Sequence, residues 1–312
     1  MGLNNKFKYV FGPVPSRRLG FSLGVDLVPF KTCSYDCIYC QLGRTKVKTI
    51  SRKEYVPLDK VIEEINEKLK QDIHLDYITL SGSGEPTLYS RIRELIIEIK
   101  NKTKKPIAVL TNGSLLWDKR VQNDLMEADL VIPSLDAGDE DIFRYVNRTH
   151  LSLSLEKVSD GIADFCRRFS KNVWLEVFLL NGVTTVSFEV GKIVTHIRKI
   201  KPNKVQLNTI ARPPAEFFAL SVPKEQMDDL AKLFGNSVEI ISDFNKSNDK
   251  VNLKISKEEI LNLIKRRPCD LEDISQGLSI HRNEVLKYIE QLLKEDKITS
   301  SLENNSFYYI KN

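Results

Sequence analysis

The sequence predicts an α/β fold: an open parallel sheet of six strand–helix units, followed by a small helical module with a hairpin. Three observations predict it. Short apolar runs of strand length alternate with stretches whose apolar residues recur at helical spacing. Most of the strand-like runs end in a polar or glycine-rich segment, and parallel α/β sheets carry their chemistry at that end. Beyond residue 245 the alternation stops and three helical periods follow one another.

Taken in order, the turn-rich Gly12-Pro-Val-Pro-Ser16-Arg17-Arg18-Leu-Gly20 is expected to lie outside regular structure. Leu23–Phe30 reads as the first strand and feeds a cysteine-bearing loop. Leu58, Val61, Ile62, Ile65 and Leu69 share one helical face, predicting a helix over 58–70. Tyr77–Leu80 is a second strand, and Ile92, Leu95, Ile96 and Ile99 mark the helix after it. Ile107–Leu110, Leu130–Ile132, Val173–Leu180 and Val205–Leu207 read as further strands, with Val238–Ile241 as an edge strand. Helices are expected over 118–127 and 154–169, through Val190, Ile193, Val194 and Ile197, and through Met227, Leu230, Ala231 and Phe234. Strand followed by helix, six times, calls for a parallel sheet with helices outside it, and six units are too few to close an eight-unit barrel.

At 312 residues the chain is long enough for two domains, and 41% hydrophobic with 29% charged residues is ordinary for a soluble protein. No apolar stretch approaches the ~18 residues of a membrane span, and the N-terminus lacks the apolar core of a secretory signal, so a cytoplasmic protein is expected. The net charge of +5 is unevenly spread: residues 1–60 carry 11 Lys/Arg against 4 Asp/Glu, whereas residues 256–312 carry 9 against 10. A polyanion contact is better sought near the cysteine loop than in the tail, although a solvated basic face would look the same.

The chemistry concentrates in Cys33-Ser-Tyr-Asp-Cys37-Ile-Tyr-Cys40. Closely spaced thiolates bind soft metals and iron–sulfur clusters. Three thiolates on a four-iron cubane leave one iron free to hold something else. A structural zinc site normally has four ligands, but no fourth Cys or His lies nearby, and Cys166 and Cys269 stand alone. Five cysteines in a long chain without a signal segment do not suggest a disulfide framework.

The three cysteines, with Tyr39 before the last of them, resemble the motif of the radical S-adenosylmethionine (SAM) superfamily. The resemblance covers residues 12–245 and implies a partial (βα)6 barrel, a [4Fe–4S] cluster on Cys33, Cys37 and Cys40, and SAM chelating the open iron. It further implies reductive cleavage of SAM to a 5′-deoxyadenosyl radical, fed by a flavodoxin- or ferredoxin-like electron donor. Ser83-Gly84-Glu85-Pro86 resembles the superfamily's Gly-Gly-Glu-Pro segment, with Ser83 in place of the first glycine, which implies that Gly84 and Glu85 meet the methionine ammonium. Thr111, Asn112, Ser134 and Asp136 resemble rim positions that bond SAM's carboxylate and ribose; Asn208 and Tyr39 are expected near the adenine or cluster.

Arg17 and Arg18 read either as an anion clamp or as a salt-bridged lid, and Arg212–Glu216 as a substrate-facing loop. Gly12–Leu42 most resembles a group of iron–sulfur oxidoreductase-like proteins related to the tRNA wyosine-base synthases. Those enzymes carry a second cluster on cysteines ahead of the SAM motif, and here no cysteine precedes Cys33.

The domain organisation expected is a core over 1–244, a linker over 245–255 and a tail module over 256–312. Three helices and a hairpin turning at Asn304-Asn305 resemble a winged helix-turn-helix. Its third helix mixes Arg282, Lys287 and Lys294 with Glu284 and Glu290, so duplex DNA is disfavoured and a protein, peptide or dimer contact preferred. For the enzyme's substrate, a modified tRNA base or nucleotide ranks above a protein or peptide. A redox or SAM sensor regulating through the winged helix is the alternative, and it would need a basic recognition surface.

Overall fold

The computed structural model describes residues 7–71, 73–235, 238–241, 257–278, 282–303 and 306–312. Strands β1 (Val10–Ser16) and β2 (Gly20–Val25) form an antiparallel hairpin, and β2 opens a parallel run. That run continues through β5 (Tyr77–Leu80), β6 (Ile107–Thr111), β7 (Leu130–Pro133), β8 (Asn172–Phe178), β9 (Lys204–Asn208) and β10 (Val238–Ile240). A two-residue ladder, β3 (Thr32–Cys33) with β4 (Val47–Lys48), lies within the cysteine loop. Between the sheet strands run α1 (Leu58–Leu69), α2 (Ile92–Lys102), α3 (Lys119–Leu125), α4 (Glu140–Asn147), α5 (Leu155–Arg168), α6 (Ser187–Ile200) and α7 (Lys224–Phe234). The expected parallel α/β order is therefore present.

The helices bury the faces that their periodicity marks. Val61 and Ile65 of α1, Leu95 and Ile99 of α2, and Val158, Ile162 and Phe165 of α5 pack with sheet residues such as Ile78, Val109 and Leu175 in one core. Local chemistry sets the helix starts: Asp139 accepts from the Ile142 amide, and Ser154 from the Lys157 amide.

Two expectations are corrected, and one helix is added. Gly12–Gly20 is β1 and the turn after it, because the prolines sit on an edge strand where missing amide donors leave no ladder bond unmade, and the register shifts between Phe11 and Val14. The first parallel strand ends at Val25 rather than Phe30, and Asp26 turns inward to accept hydrogen bonds from Ser83. Helix α4 was not foreseen; its end docks the cysteine loop through Asp36 N–H to Asn147 O (3.0 Å) and Ile38 N–H to Val146 O (2.9 Å).

The tail comprises α8 (Lys257–Arg266), α9 (Leu271–Gly277), α10 (Arg282–Lys294) and the antiparallel pair β11 (Ile298–Glu303) and β12 (Ser306–Lys311). Its core of Ile260, Ile264, Val285, Ile289 and Leu292 also takes in Val14 of β1. Arg212 pairs with Asp273 (2.8 Å) and Tyr308 Oη donates to Ala211 O (3.0 Å), so the tail sits against the loop beyond β9. The expected linker, 245–255, and the expected hairpin tip at Asn304-Asn305 lie outside the described residues. Among the described residues no helix is long and apolar enough to cross a membrane.

Candidate active site at the carboxyl rim of the sheet

A cavity of about 430 Å³ opens where the parallel strands end, within the range of small-molecule sites. Cys33, Tyr39, Cys40, Gly84, Glu85, Thr111, Asn112, Ser134 and Asn208 all line it. The topology brings them together, since each follows or ends a neighbouring strand of one sheet.

Two segments are stitched into one wall. Lys31 N–H donates to Ser83 O (2.7 Å) and Glu85 N–H to Thr32 O (3.1 Å). The approach is so close that a Cβ on Gly84 would stand 1.9 Å from Thr32 O, which is why this position must be glycine. Ser83 is accommodated because Asp26 accepts both its amide (2.9 Å) and its hydroxyl.

Glu85 is buried and accepts from Thr87 N–H (2.9 Å), Thr87 Oγ1 (2.6 Å), Thr111 Oγ1 (2.6 Å) and Asn112 N–H (2.8 Å). Burial still holds its carboxyl above the ordinary value despite these donors. Three of the four bonds fall on Oε1, so Oε2 keeps capacity for a further donor such as an ammonium.

The three sulfurs each have a donor. Lys31 Nζ reaches Cys40 Sγ (3.1 Å), Asn147 Nδ2 reaches Cys37 Sγ (3.4 Å), and Asn112 Nδ2 and Tyr35 N–H reach Cys33 Sγ (both 3.5 Å). Burial pushes the Cys33 thiol up to about 12 and Cys37 also above its usual value. Iron would reverse that by displacing the protons on binding. Among the described residues no three His, Cys, Asp or Glu side chains are grouped to hold a single metal ion. Donors converging on sulfur from the surrounding shell fit an iron–sulfur cluster, whose sulfurs accept such bonds.

The sequence model of the Radical SAM superfamily matches residues 27–190, a span holding the cysteine loop and the Gly84-Glu85 turn. The chain belongs to the radical SAM superfamily. A UPF0026 protein of Methanocaldococcus jannaschii is 32% identical over 97% of this chain and 95% of its own length. A Brachyspira hyodysenteriae protein named GTPase Obg is 40% identical over 98% of this chain, which spans 46% of that longer protein. The fold is also that of a radical SAM methyltransferase from Sphaerobacter thermophilus, with TM-score 0.54 and 14% identity over 70% of this chain and 66% of that one. Radical SAM proteins are enzymes that use a [4Fe–4S] cluster and SAM.

Of the expected site residues, Cys37 and Asp136 are not among those that line the cavity. Asp136 accepts from Tyr39 Oη, Asn147 Nδ2 (2.8 Å) and Phe178 N–H (3.0 Å), and burial raises its carboxyl to about 6. It therefore positions Tyr39, whose ring stacks on Phe178 at 3.9 Å between centroids. Arg18 is salt-bridged to Glu176, the second of the two readings. Arg212 lines the cavity but its guanidinium is held by Asp273, and Glu216 is engaged by Arg148 (2.6 Å) and Arg44 (2.9 Å).

Sequence reasoning missed Lys31, Asn147 and Glu176. For Glu176 a signal existed: it alternates with Val173, Leu175 and Val177 on β8 and shares its face with Trp174 and Phe178, an acid inside the apolar run that follows Asn172. Lys31 and Asn147 carry no local signal, since their roles come from tertiary placement.

Proposed function

We propose that the chain is a radical SAM enzyme with a single [4Fe–4S] cluster on Cys33, Cys37 and Cys40 and SAM lying along the strand ends. Bound there, a reduced cluster would supply one electron to SAM's sulfonium, and SAM would supply, with methionine as the other fragment, a 5′-deoxyadenosyl radical able to take hydrogen from a substrate. The observation that carries this reading is the backbone stitching of Lys31–Thr32 to Ser83–Glu85, which sets the cysteine loop beside a carboxylate with spare capacity.

Gly84 gives backbone clearance and Glu85 Oε2 accepts the methionine ammonium. Thr111 and Asn112 hold Glu85 in place, and Asn112 also turns its amide to Cys33 and to Ser34 Oγ (2.9 Å). Ser134 and Asn208 offer polar atoms to the ribose and adenine, and Tyr39 covers the cluster side with its ring held by Phe178 and Asp136. Leu180, Ile38 and Ile210 form an apolar patch behind Tyr39 that excludes water from this side.

The proposal extends to a flavodoxin- or ferredoxin-like electron donor, a cytoplasmic setting, a core over 1–244 and a tail of winged-helix type over 256–312. Kinship with the wyosine-base synthases belongs to it as well. A nucleotide or tRNA base suits the basic cavity lining better than a peptide.

Anaerobic reconstitution with iron and sulfide, then dithionite and SAM, tests the reading. 5′-Deoxyadenosine is expected from the wild-type chain and none from Cys33→Ala, Cys37→Ala or Cys40→Ala. Nucleoside release that persists in any of the three would overturn it.

A further inference from the structure

Among the described residues, five buried side-chain polar atoms have no hydrogen-bond partner, and two belong to one dipeptide: Arg266 Nε and Arg267 Nη2. Arg266 is the last residue of α8 in the tail and Arg267 follows it, yet both line the cavity beside Cys33 and Cys40. A buried donor without an acceptor leaves its desolvation unrecovered, and such atoms point to a missing partner.

The neighbours of Arg266 fix its orientation. Nη1 reaches Asp26 Oδ2 (3.3 Å), Nη2 reaches Lys8 O (3.3 Å), and the guanidinium lies 4.2 Å over the Phe11 ring. These contacts leave Nε as the atom with capacity to spare.

The charge balance of the lining has the same sense. Six cations, Arg17, Arg18, Lys31, Arg212, Arg266 and Arg267, face two carboxylates, Glu85 and Glu176. Arg18 is engaged by Glu176, Arg212 by Asp273, and Lys31 by Cys40. The adjacent arginines at the seam thus hold open donors beside a surplus of positive charge.

We propose that Arg266 and Arg267 receive the phosphate of a small, nucleotide-sized substrate, held at the seam between the sheet's rim and the tail. Two guanidiniums suit a doubly charged phosphate, and their fork geometry favours bidentate oxyanions. A small molecule is favoured over a folded RNA because the tail closes on the core through Arg212–Asp273, Arg266–Asp26 and Tyr308–Ala211. The inference rests on the reading of the neighbouring wall as the SAM site, which is what makes the bound anion a substrate.

Titration of the reconstituted full-length protein with inorganic pyrophosphate at constant ionic strength, without SAM, is the test. The wild type is expected to bind one equivalent, R267Q to bind about tenfold more weakly or worse, and the exposed-surface control K104Q to bind as the wild type does. Should R267Q not fold, R267K decides: it keeps the charge, loses the fork, and is expected to weaken binding by about threefold or more. Absence of wild-type binding, equal weakening in R267Q and K104Q, or acetate binding as tightly as pyrophosphate overturns the proposal. So does a loss of SAM affinity in R267Q while pyrophosphate affinity stays intact, which would assign the pair to SAM's carboxylate. Binding of bulk tRNA that needs Arg267 when pyrophosphate does not bind would assign it to a polymer and likewise overturn it. A preparation without cluster or 5′-deoxyadenosine release would overturn the proposed enzyme and leave the pyrophosphate result standing.

Discussion

Asp26 and Ser83 form a buried pair, with the Ser83 amide donating to Asp26 Oδ1 at 2.9 Å and its hydroxyl to Oδ2. Arg266, from the tail, approaches the same Oδ2 at 3.3 Å. One carboxylate thereby ties the turn that carries Gly84 and Glu85 to a helix about 240 residues away in sequence. Burial pushes the Asp26 carboxyl up, with the Ser83 and Arg266 contacts working against it.

Asp26→Asn is therefore expected to loosen both the turn and the tail. Breaking a buried pair by removing one charge costs roughly 3–5 kcal/mol, and the asparagine's remaining hydrogen bonds should recover part of it. Thermal unfolding should show a lower midpoint, and equilibrium dialysis a weaker SAM affinity. Unchanged values for both would mean that the pair does not organise the site.

Gly84→Ala should do more local damage. Its Cβ would fall 1.9 Å from Thr32 O and 2.8 Å from Val28 Cγ2, so the turn and the cysteine loop must part. Overpacking of this kind costs about 1–3 kcal/mol in stability. The larger effect is expected in function, with SAM binding lost by dialysis while far-ultraviolet circular dichroism stays native.

The Arg18–Glu176 pair predicts a pH dependence. Burial would raise the Glu176 carboxyl, but the Arg18 guanidinium and the Asn208 amide outweigh it and hold it below the ordinary value. A carboxylate lowered in the folded state adds stability above its unfolded value near pH 4.3, and that stability is lost as pH falls through the folded value. In Arg18→Gln only the burial and the weaker bonds remain, so this contribution should vanish or change sign. The difference in unfolding midpoint between wild type and variant should be large at pH 7 and shrink toward pH 3.5. A difference independent of pH would exclude this linkage.

Asn147 is expected to tune the cluster. Its amide reaches Cys37 Sγ at 3.4 Å and Asp136 at 2.8 Å. Hydrogen bonds to ligating sulfur favour the reduced, more negative cluster. Asn147→Ala should therefore lower the midpoint potential in a dithionite–dye titration while leaving iron content unchanged. A raised potential, or loss of iron, would show a different role.

Much of this site was legible in the sequence because its pieces are local. Cysteine spacing, the Gly84-Glu85 turn, and polar residues following apolar runs all announce themselves within a few positions, and a parallel sheet gathers them on one rim. The edge strand Val10–Ser16 was hidden by prolines that an unpaired edge tolerates. Asp136 bonds Tyr39, a contact its spacing from Pro133 could not announce, because that spacing fixes its neighbourhood but not its partner. The arginines at the seam were illegible for a further reason. Nothing in the composition of Lys257–Arg266 tells where that helix docks, and a tail with balanced charge hides two cations turned inward.

The most direct measurement is electron paramagnetic resonance of the anaerobically purified, dithionite-reduced protein, recorded before and after adding SAM. The account predicts four irons per chain and a [4Fe–4S] spectrum that changes when SAM's amino and carboxylate groups occupy the iron left open by Cys33, Cys37 and Cys40. Stoichiometric zinc with no iron signal, or a cluster spectrum that SAM leaves unaltered, would contradict it.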